Sequence, residues 1–208
     1  MDKKYAIFDM DGTLIDSMVV WQELGLEYLH AKGVEEVPDI TGELAPLTMA
    51  ESAAFLAERF GLEEAPALIA EELNRLMELH YENDIPLKNG VRELLAELKK
   101  AGVRMCVASA TAERLVRLCL GRLGVLSCFD FVLSCESLGA SKREPLIYLK
   151  AAELFGAAPG EIAVFEDAKY AVETARAAGF YVAAVYDGAA AAQWEQISRM
   201  AHEAIRFE

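Results

Sequence analysis

Phe8-Asp9-Met10-Asp11-Gly12-Thr13-Leu14-Ile15-Asp16 is the stretch from which the rest of the chain is read. Tyr5-Ala6-Ile7-Phe8 leads into it as a short apolar run, the pattern of a strand buried on both faces. Two carboxylates then stand two residues apart, just where the strand runs out. In parallel α/β sheets, ligands bind beyond the carboxyl ends of strands. Gly12 permits a sharp turn after the strand, so Asp9 and Asp11 can face one pocket. An Asp-Gly turn signal explains Gly12 equally well, and an Asp-x-Asp by itself is weak evidence.

Outward from this stretch, short apolar runs alternate with helical patterns, which predicts an α/β fold with a parallel sheet. Further strands are expected at residues 103–108, 129–133, 162–165 and 181–185. Val91, Leu94, Leu95 and Leu98 follow helical spacing, with Gly102 placed to end that helix. Thr111 is placed to cap a helix carrying Leu115, Leu118 and Cys119, and Pro145 suits the first turn of the next. Residues 168–178 read as a small-residue helix closed by Gly179, and Ala189 to Ala192 as the start of a last helix.

Residues 17–84 break this rhythm. They carry only helical patterns, at 20–30, 48–60 and 66–80, with Thr48 and Glu51 at capping-box spacing. The interval holds fifteen acidic residues against three basic ones (Lys32, Arg59 and Arg75), a net of −12 out of −14 for the chain. The division expected is a discontinuous α/β core of residues 1–16 and 85–208, with an all-helical insertion at 17–84 after the first strand.

The bulk properties narrow the chemistry. Hydrophobic residues make up 54% of the 208, enough for a packed core. A net charge of −14 repels nucleic acid and anionic membrane, so neither is an expected partner. No signal-peptide pattern or membrane-length apolar run is read. Cys106, Cys119, Cys128 and Cys135 form no CxxC pair and no zinc-like spacing with His30, His80 or His202. They read as free thiols of a cytoplasmic protein, a monomer or weak homo-oligomer.

Three more elements stand at expected strand ends. Phe165-Glu166-Asp167 closes one strand with two adjacent acids. Clustered carboxylates repel one another unless a cation neutralises them, and magnesium suits such a site. Two solvated acids at a helix N-terminus would account for Glu166 and Asp167, but not for Asp9 and Asp11. Ser109, with Ala110 and Thr111 opening a helix, offers a hydroxyl and backbone N–H groups to an anion. Lys142 precedes a helix within Ala140-Ser141-Lys142-Arg143-Glu144-Pro145. Singly, Ser109 is more simply a helix cap and Lys142 a solvated loop lysine; their order along the chain is what gives them weight.

That order, acid pair, serine, lysine, acid pair, resembles the haloacid dehalogenase superfamily of hydrolases, in the branch of β-phosphoglucomutases and sugar-phosphate phosphatases. The resemblance runs over nearly the whole chain and is most specific at residues 9–17 and at Glu166-Asp167 with Ala175-Arg176-Ala177-Ala178-Gly179. It implies a Rossmann-like three-layer core, a mobile helical cap with hinges near residues 16–17 and 83–88, and a magnesium-dependent phosphatase for a small phosphorylated metabolite. Asp9 would be the nucleophile that forms an aspartyl-phosphate, and Asp11 the general acid and base. Asp9, the Asp11 backbone carbonyl and Asp167 would hold the ion, with Glu166 nearby or acting through water. Ser109, the Ala110 N–H and Lys142 would grip the phosphoryl oxygens. Two features depart from the family: Ala110 offers only backbone, and Arg143 and Leu146 replace a proline and an acid of the third motif.

Within the superfamily, Asp11 and the Glu166-Asp167 pair argue against dehalogenase chemistry. A mutase must clamp a second phosphate, yet Trp21 stands where the resemblance leads one to expect histidine, and the insertion is strongly acidic. Phosphatase therefore ranks above phosphomutase. A phosphonate hydrolase would need Lys32 for Schiff-base chemistry, and Lys32 reads instead as a helix end. A non-catalytic metal-binding scaffold has no use for Asp11.

Overall fold

The computed structural model describes residues 2–44 and 47–207. Two compact units divide the chain, one of Met1–Met18 with Pro86–Glu208 and one of Val19–Ile85.

In the first unit, strands Tyr5–Phe8 (β1), Arg104–Ser109 (β2), Phe131–Ser134 (β3), Ile162–Glu166 (β4), Tyr181–Val185 (β5) and Glu203–Ile205 (β6) form one parallel sheet. Its order is β3-β2-β1-β4-β5-β6. The central strands are buried almost throughout, as their continuous apolar runs predict. Register sets Phe8 opposite Phe165, and their rings stack at 4.2 Å. One face of the core is filled by Ile7, Cys106, Tyr148, Phe155, Val164 and Phe180, among others.

The second unit is helical. Met18–Ala31 (α1) leads into it, followed by Thr41–Leu44 (α2), Met49–Phe60 (α3) and Pro66–Asn83 (α4). Thr48 and Glu51 close the capping box at the start of α3, and Pro66 stands at the first position of α4. Leu24, Tyr28, Leu29, Leu56, Ile69, Leu73 and Met77 are buried here.

The remaining helices belong to the first unit: Val91–Lys100 (α5), Glu113–Arg122 (α6), Cys135–Leu138 (α7), Leu146–Phe155 (α8), Lys169–Ala177 (α9) and Trp194–Met200 (α10). Three local expectations are corrected. Residues 126–128 take a 3₁₀ turn, so β3 starts two residues later than its apolar run suggests. The helix after β2 begins at Glu113, with Ala112 rather than Thr111 at its N-cap, because the Thr111 hydroxyl is used elsewhere. The alanine run lies in a 3₁₀ segment, Gly188–Gln193, that precedes α10. Cys106, Cys119 and Cys135 are buried free thiols, while Cys128 is half-buried. Among the described residues, no helix is long and apolar enough to cross a membrane.

Phe8 and Phe165 join the two strands that end in acids, so their packing holds the middle of the sheet. Phe8→Ala is expected to lower unfolding free energy by about 3–5 kcal/mol, measured by urea denaturation. A loss below about 1 kcal/mol, the range of ordinary surface changes, would show that the pair is not part of the core.

Candidate active site

Asp9 leaves the end of β1 with its N–H donated to the Phe165 carbonyl, which ties it to the neighbouring strand β4. The chain then winds around one acceptor: the Met10 carbonyl receives the N–H groups of Thr13, Leu14 and Ile15. Gly12 makes this turn with a φ of +78°. A Cβ at Gly12 would lie 2.4 Å from Asp167 Oδ2, so both the backbone conformation and the approach of Asp167 call for glycine. The chain returns along the second linker. Asp16 N–H donates to the Pro86 carbonyl and Lys88 N–H to the Leu14 carbonyl.

β1 and β4 are adjacent because the strand order reverses between them, and a ligand crevice is expected outside their carboxyl ends. Asp9, Glu166 and Asp167 meet at this point, each offering a carboxylate oxygen within 4.8 Å of the others. All three are buried. Lys142 is buried with them, its Nζ 2.5 Å from Asp9 Oδ1 and 2.5 Å from Glu166 Oε1. It is therefore far from a solvated loop lysine, and the replacements at Arg143 and Leu146 have not left it loose. The Tyr148 hydroxyl donates to Glu166 Oε1 at 2.8 Å, and the Thr13 hydroxyl to Asp167 Oδ1 at 3.1 Å.

Asp11 stands apart from this cluster. Its two carboxylate oxygens receive the hydroxyls of Ser17 and Thr111, each at 2.7 Å. Ser109 ends β2 fully buried, and its Oγ accepts the Thr111 N–H at 3.0 Å. Ala110 follows it as an exposed residue. The region holds a further ion pair, one partner buried, that the sequence did not suggest. Asp187, just after β5, lies 2.5 Å from Lys88 Nζ, which also donates to the Tyr186 carbonyl. Nothing in the local sequence pairs residues 99 positions apart.

Burial pushes the Asp9 carboxyl well above its ordinary range, against the pull of Lys142 and with the help of Glu166, Asp167 and Asp11. Asp167 is pushed up to about 7 by burial and then by Glu166. Burial alone would lower the Lys142 ammonium, but Asp9 and Glu166 outweigh it and hold the proton on. Three acids against one lysine leave two negative charges when all are ionised. Glu166 Oε2 is buried without a hydrogen-bond partner. A hard divalent cation, which takes oxygen ligands, fits both the charge and the orphaned oxygen.

Asp167 is raised from 3.8 to about 7 on folding, so between those values the folded chain keeps a proton that the unfolded chain releases. Ionising it costs stability that is fully lost above pH 7 and restored below its unfolded value. In EDTA, Asp167→Asn should therefore raise the melting temperature at about pH 8, by roughly 2–4 °C per kcal/mol recovered. The gain should shrink as the pH falls through that window. A calorimetric series showing the same gain at about pH 8 and about pH 4.5 would contradict the shift.

The haloacid dehalogenase-like hydrolase family model matches residues 3–179. A phosphorylated carbohydrates phosphatase of Thermotoga maritima is 30% identical over 179 residues, covering 84% of this chain and 81% of its own length. Hexitol phosphatase B of Escherichia coli K12 is 30% identical over 178 residues, covering 83% and 79%. The crystal structure of a candidate β-phosphoglucomutase from Thermotoga maritima superposes with a TM-score of 0.85 over 98% of this chain and 94% of its own. At 24% identity that likeness speaks for the fold alone. With the family model spanning the sheet from β1 to the end of α9, the chain belongs to the haloacid dehalogenase-like hydrolases.

Proposed function

We propose that this hydrolase is a magnesium-dependent phosphatase of small phosphorylated carbohydrates, working through an aspartyl-phosphate on Asp9. The observation that carries the reading is Asp9 itself: a buried carboxylate at a strand end, bonded to Lys142 through Oδ1 and grouped with Glu166 and Asp167. The names of the two relatives that are 30% identical support the substrate class.

Asp9, Glu166 and Asp167 would hold the ion, with the Asp11 carbonyl added on the strength of the family resemblance. Bound magnesium would offset the repulsion between an anionic nucleophile and an anionic ester. Asp9 attacks phosphorus through the oxygen that Lys142 does not take, and the bond from phosphorus to the ester oxygen breaks. Asp11 gives its proton to the departing alkoxide and then takes one from the water that attacks phosphorus, which breaks the bond from phosphorus to the Asp9 oxygen, frees inorganic phosphate and restores Asp9. Ser17 and Thr111 hold the Asp11 headgroup, so it need not reorganise between the two roles. Lys142, Ser109 and the Ala110 N–H steady the oxygens of the transferring group. We assign the helical unit, residues 17–84, the role of selecting the substrate.

Observations within the helical unit favour phosphatase over phosphomutase. Lys32 is taken up by Glu64 and Glu72 at 2.8 Å each, and Arg59 by Glu43 at 2.7 Å. Two of its three basic residues are thus committed to acids of their own unit. The hydrogen bonds to Glu64 and Glu72 also raise the Lys32 ammonium, opposite to what Schiff-base chemistry requires.

The test is a screen of sugar phosphates, hexitol phosphates and an aryl phosphate, with magnesium and with EDTA. Turnover should require the metal, and Asp9→Asn should lower kcat by at least about 1000-fold. EDTA-insensitive turnover, or an Asp9→Asn protein with most of its activity, would overturn the reading. Conversion of glucose 1-phosphate to glucose 6-phosphate with a bisphosphate primer would instead establish the mutase.

A further inference from the structure

Glu166 is 1% exposed, and its two oxygens are treated unequally. Oε1 receives both the Lys142 ammonium at 2.5 Å and the Tyr148 hydroxyl at 2.8 Å. Oε2 receives nothing, although it is buried. An unsatisfied buried acceptor is costly, the more so when charged. A carboxylate satisfied twice on one oxygen and not at all on the other is arranged to keep the second free for a ligand.

Tyr148 is the unassigned member of this arrangement. It lies on α8, fully buried, with its ring in the core and 6.0 Å from the Phe180 ring. Packing alone does not need the hydroxyl, since phenylalanine would fill almost the same space. The ring is fixed by the core and delivers the hydroxyl to Glu166 alone among the hydrogen bonds described for it. We propose that Tyr148 is a positioning residue for the divalent ion, its hydroxyl locking the Glu166 headgroup so that Oε2 is presented to the metal. The proposal rests on the reading of Asp9, Glu166 and Asp167 as the ion's cradle.

Two effects of the hydroxyl oppose each other. Donation to Oε1 draws charge from the carboxylate and weakens it as a ligand. Donation also fixes a torsion that is broad for glutamate, because the last side-chain bond has no sharp staggered wells. Lys142 is already bonded to the same oxygen, so most of the charge withdrawal persists without Tyr148. What Tyr148 alone adds is a second direction of constraint, and orientation is the larger effect. Groups that orient metal ligands in this way typically contribute 10- to 100-fold in affinity.

Manganese is the probe, titrated into the full chain without substrate and read by the EPR signal of the free ion. Tyr148→Phe should weaken Mn²⁺ binding by about 10-fold relative to wild type. In a Glu166→Gln background, where the oriented carboxylate is gone, the same change should cost less than about 2-fold. If Tyr148→Phe is less stable, the rise in melting temperature on adding Mn²⁺ reports binding by the folded protein and should be smaller than in wild type. Affinity in Tyr148→Phe equal to or tighter than wild type would overturn the positioning role. An undiminished loss in the Glu166→Gln background would overturn it too, since the effect would not run through Glu166. A wild-type protein that binds no Mn²⁺ would remove the cradle itself, a failure distinct from one confined to Tyr148.

Discussion

Lys142 sits between Asp9 and Glu166, buried with both and 2.5 Å from each. Taking charges out of water is costly unless they are paired with good geometry, and removing one partner leaves the other unpaid for. Here the pairing is also incomplete: Asp167 joins the two acids, Glu166 Oε2 has no partner, and a single ammonium cannot neutralise three carboxylates. The surplus negative charge is what suits this corner of the sheet to a cation, and so to the role proposed for Asp9. Burial first, and then the neighbouring acids, hold the carboxyls of Asp9 and Asp167 above their ordinary range.

The sheet delivers this arrangement through register. Phe8 and Phe165 stack side by side, and the next residues along the two strands are Asp9 and Glu166. Gly12 then lets Asp167 come close to the loop. Ion pairing continues outward: Lys88, on the linker that returns from residue 85, is tied to the buried Asp187 after β5. Asp187 is near enough to raise Asp167, so the linker's lysine answers a charge that would otherwise bear on the acid cluster unbalanced. The hydroxyls on Asp11 come from Ser17, also on a linker, and from Thr111 after β2.

Much of this was legible in the sequence, for reasons that differ by element. β1 and β5 were read to the residue because buried parallel strands leave unbroken apolar runs. β6 was not read: it is three residues long, mostly exposed and held at the sheet edge by pairing with β5, which composition does not record. Thr111 was read as a helix cap from its position, yet its hydroxyl goes to Asp11, one hundred residues away in sequence. The haloacid dehalogenase resemblance named Asp9, Asp11, Lys142, Glu166 and Asp167 because they stand in short fixed motifs. Tyr148, Lys88 and Asp187 stand outside any spacing rule, and Ser17 closes the first motif without a role read for it; only the folded chain shows what their polar atoms reach.

The central claim is that the Asp9 carboxylate itself takes the phosphoryl group. Its most direct measurement is acid quenching during turnover of an aryl phosphate with magnesium, borohydride reduction of the trapped acyl phosphate, and peptide mass spectrometry. The account predicts homoserine at position 9 and nowhere else, absent when EDTA replaces magnesium. Reduction at another acidic residue, or turnover that leaves Asp9 unmodified under conditions that trap other acyl phosphates, would contradict it.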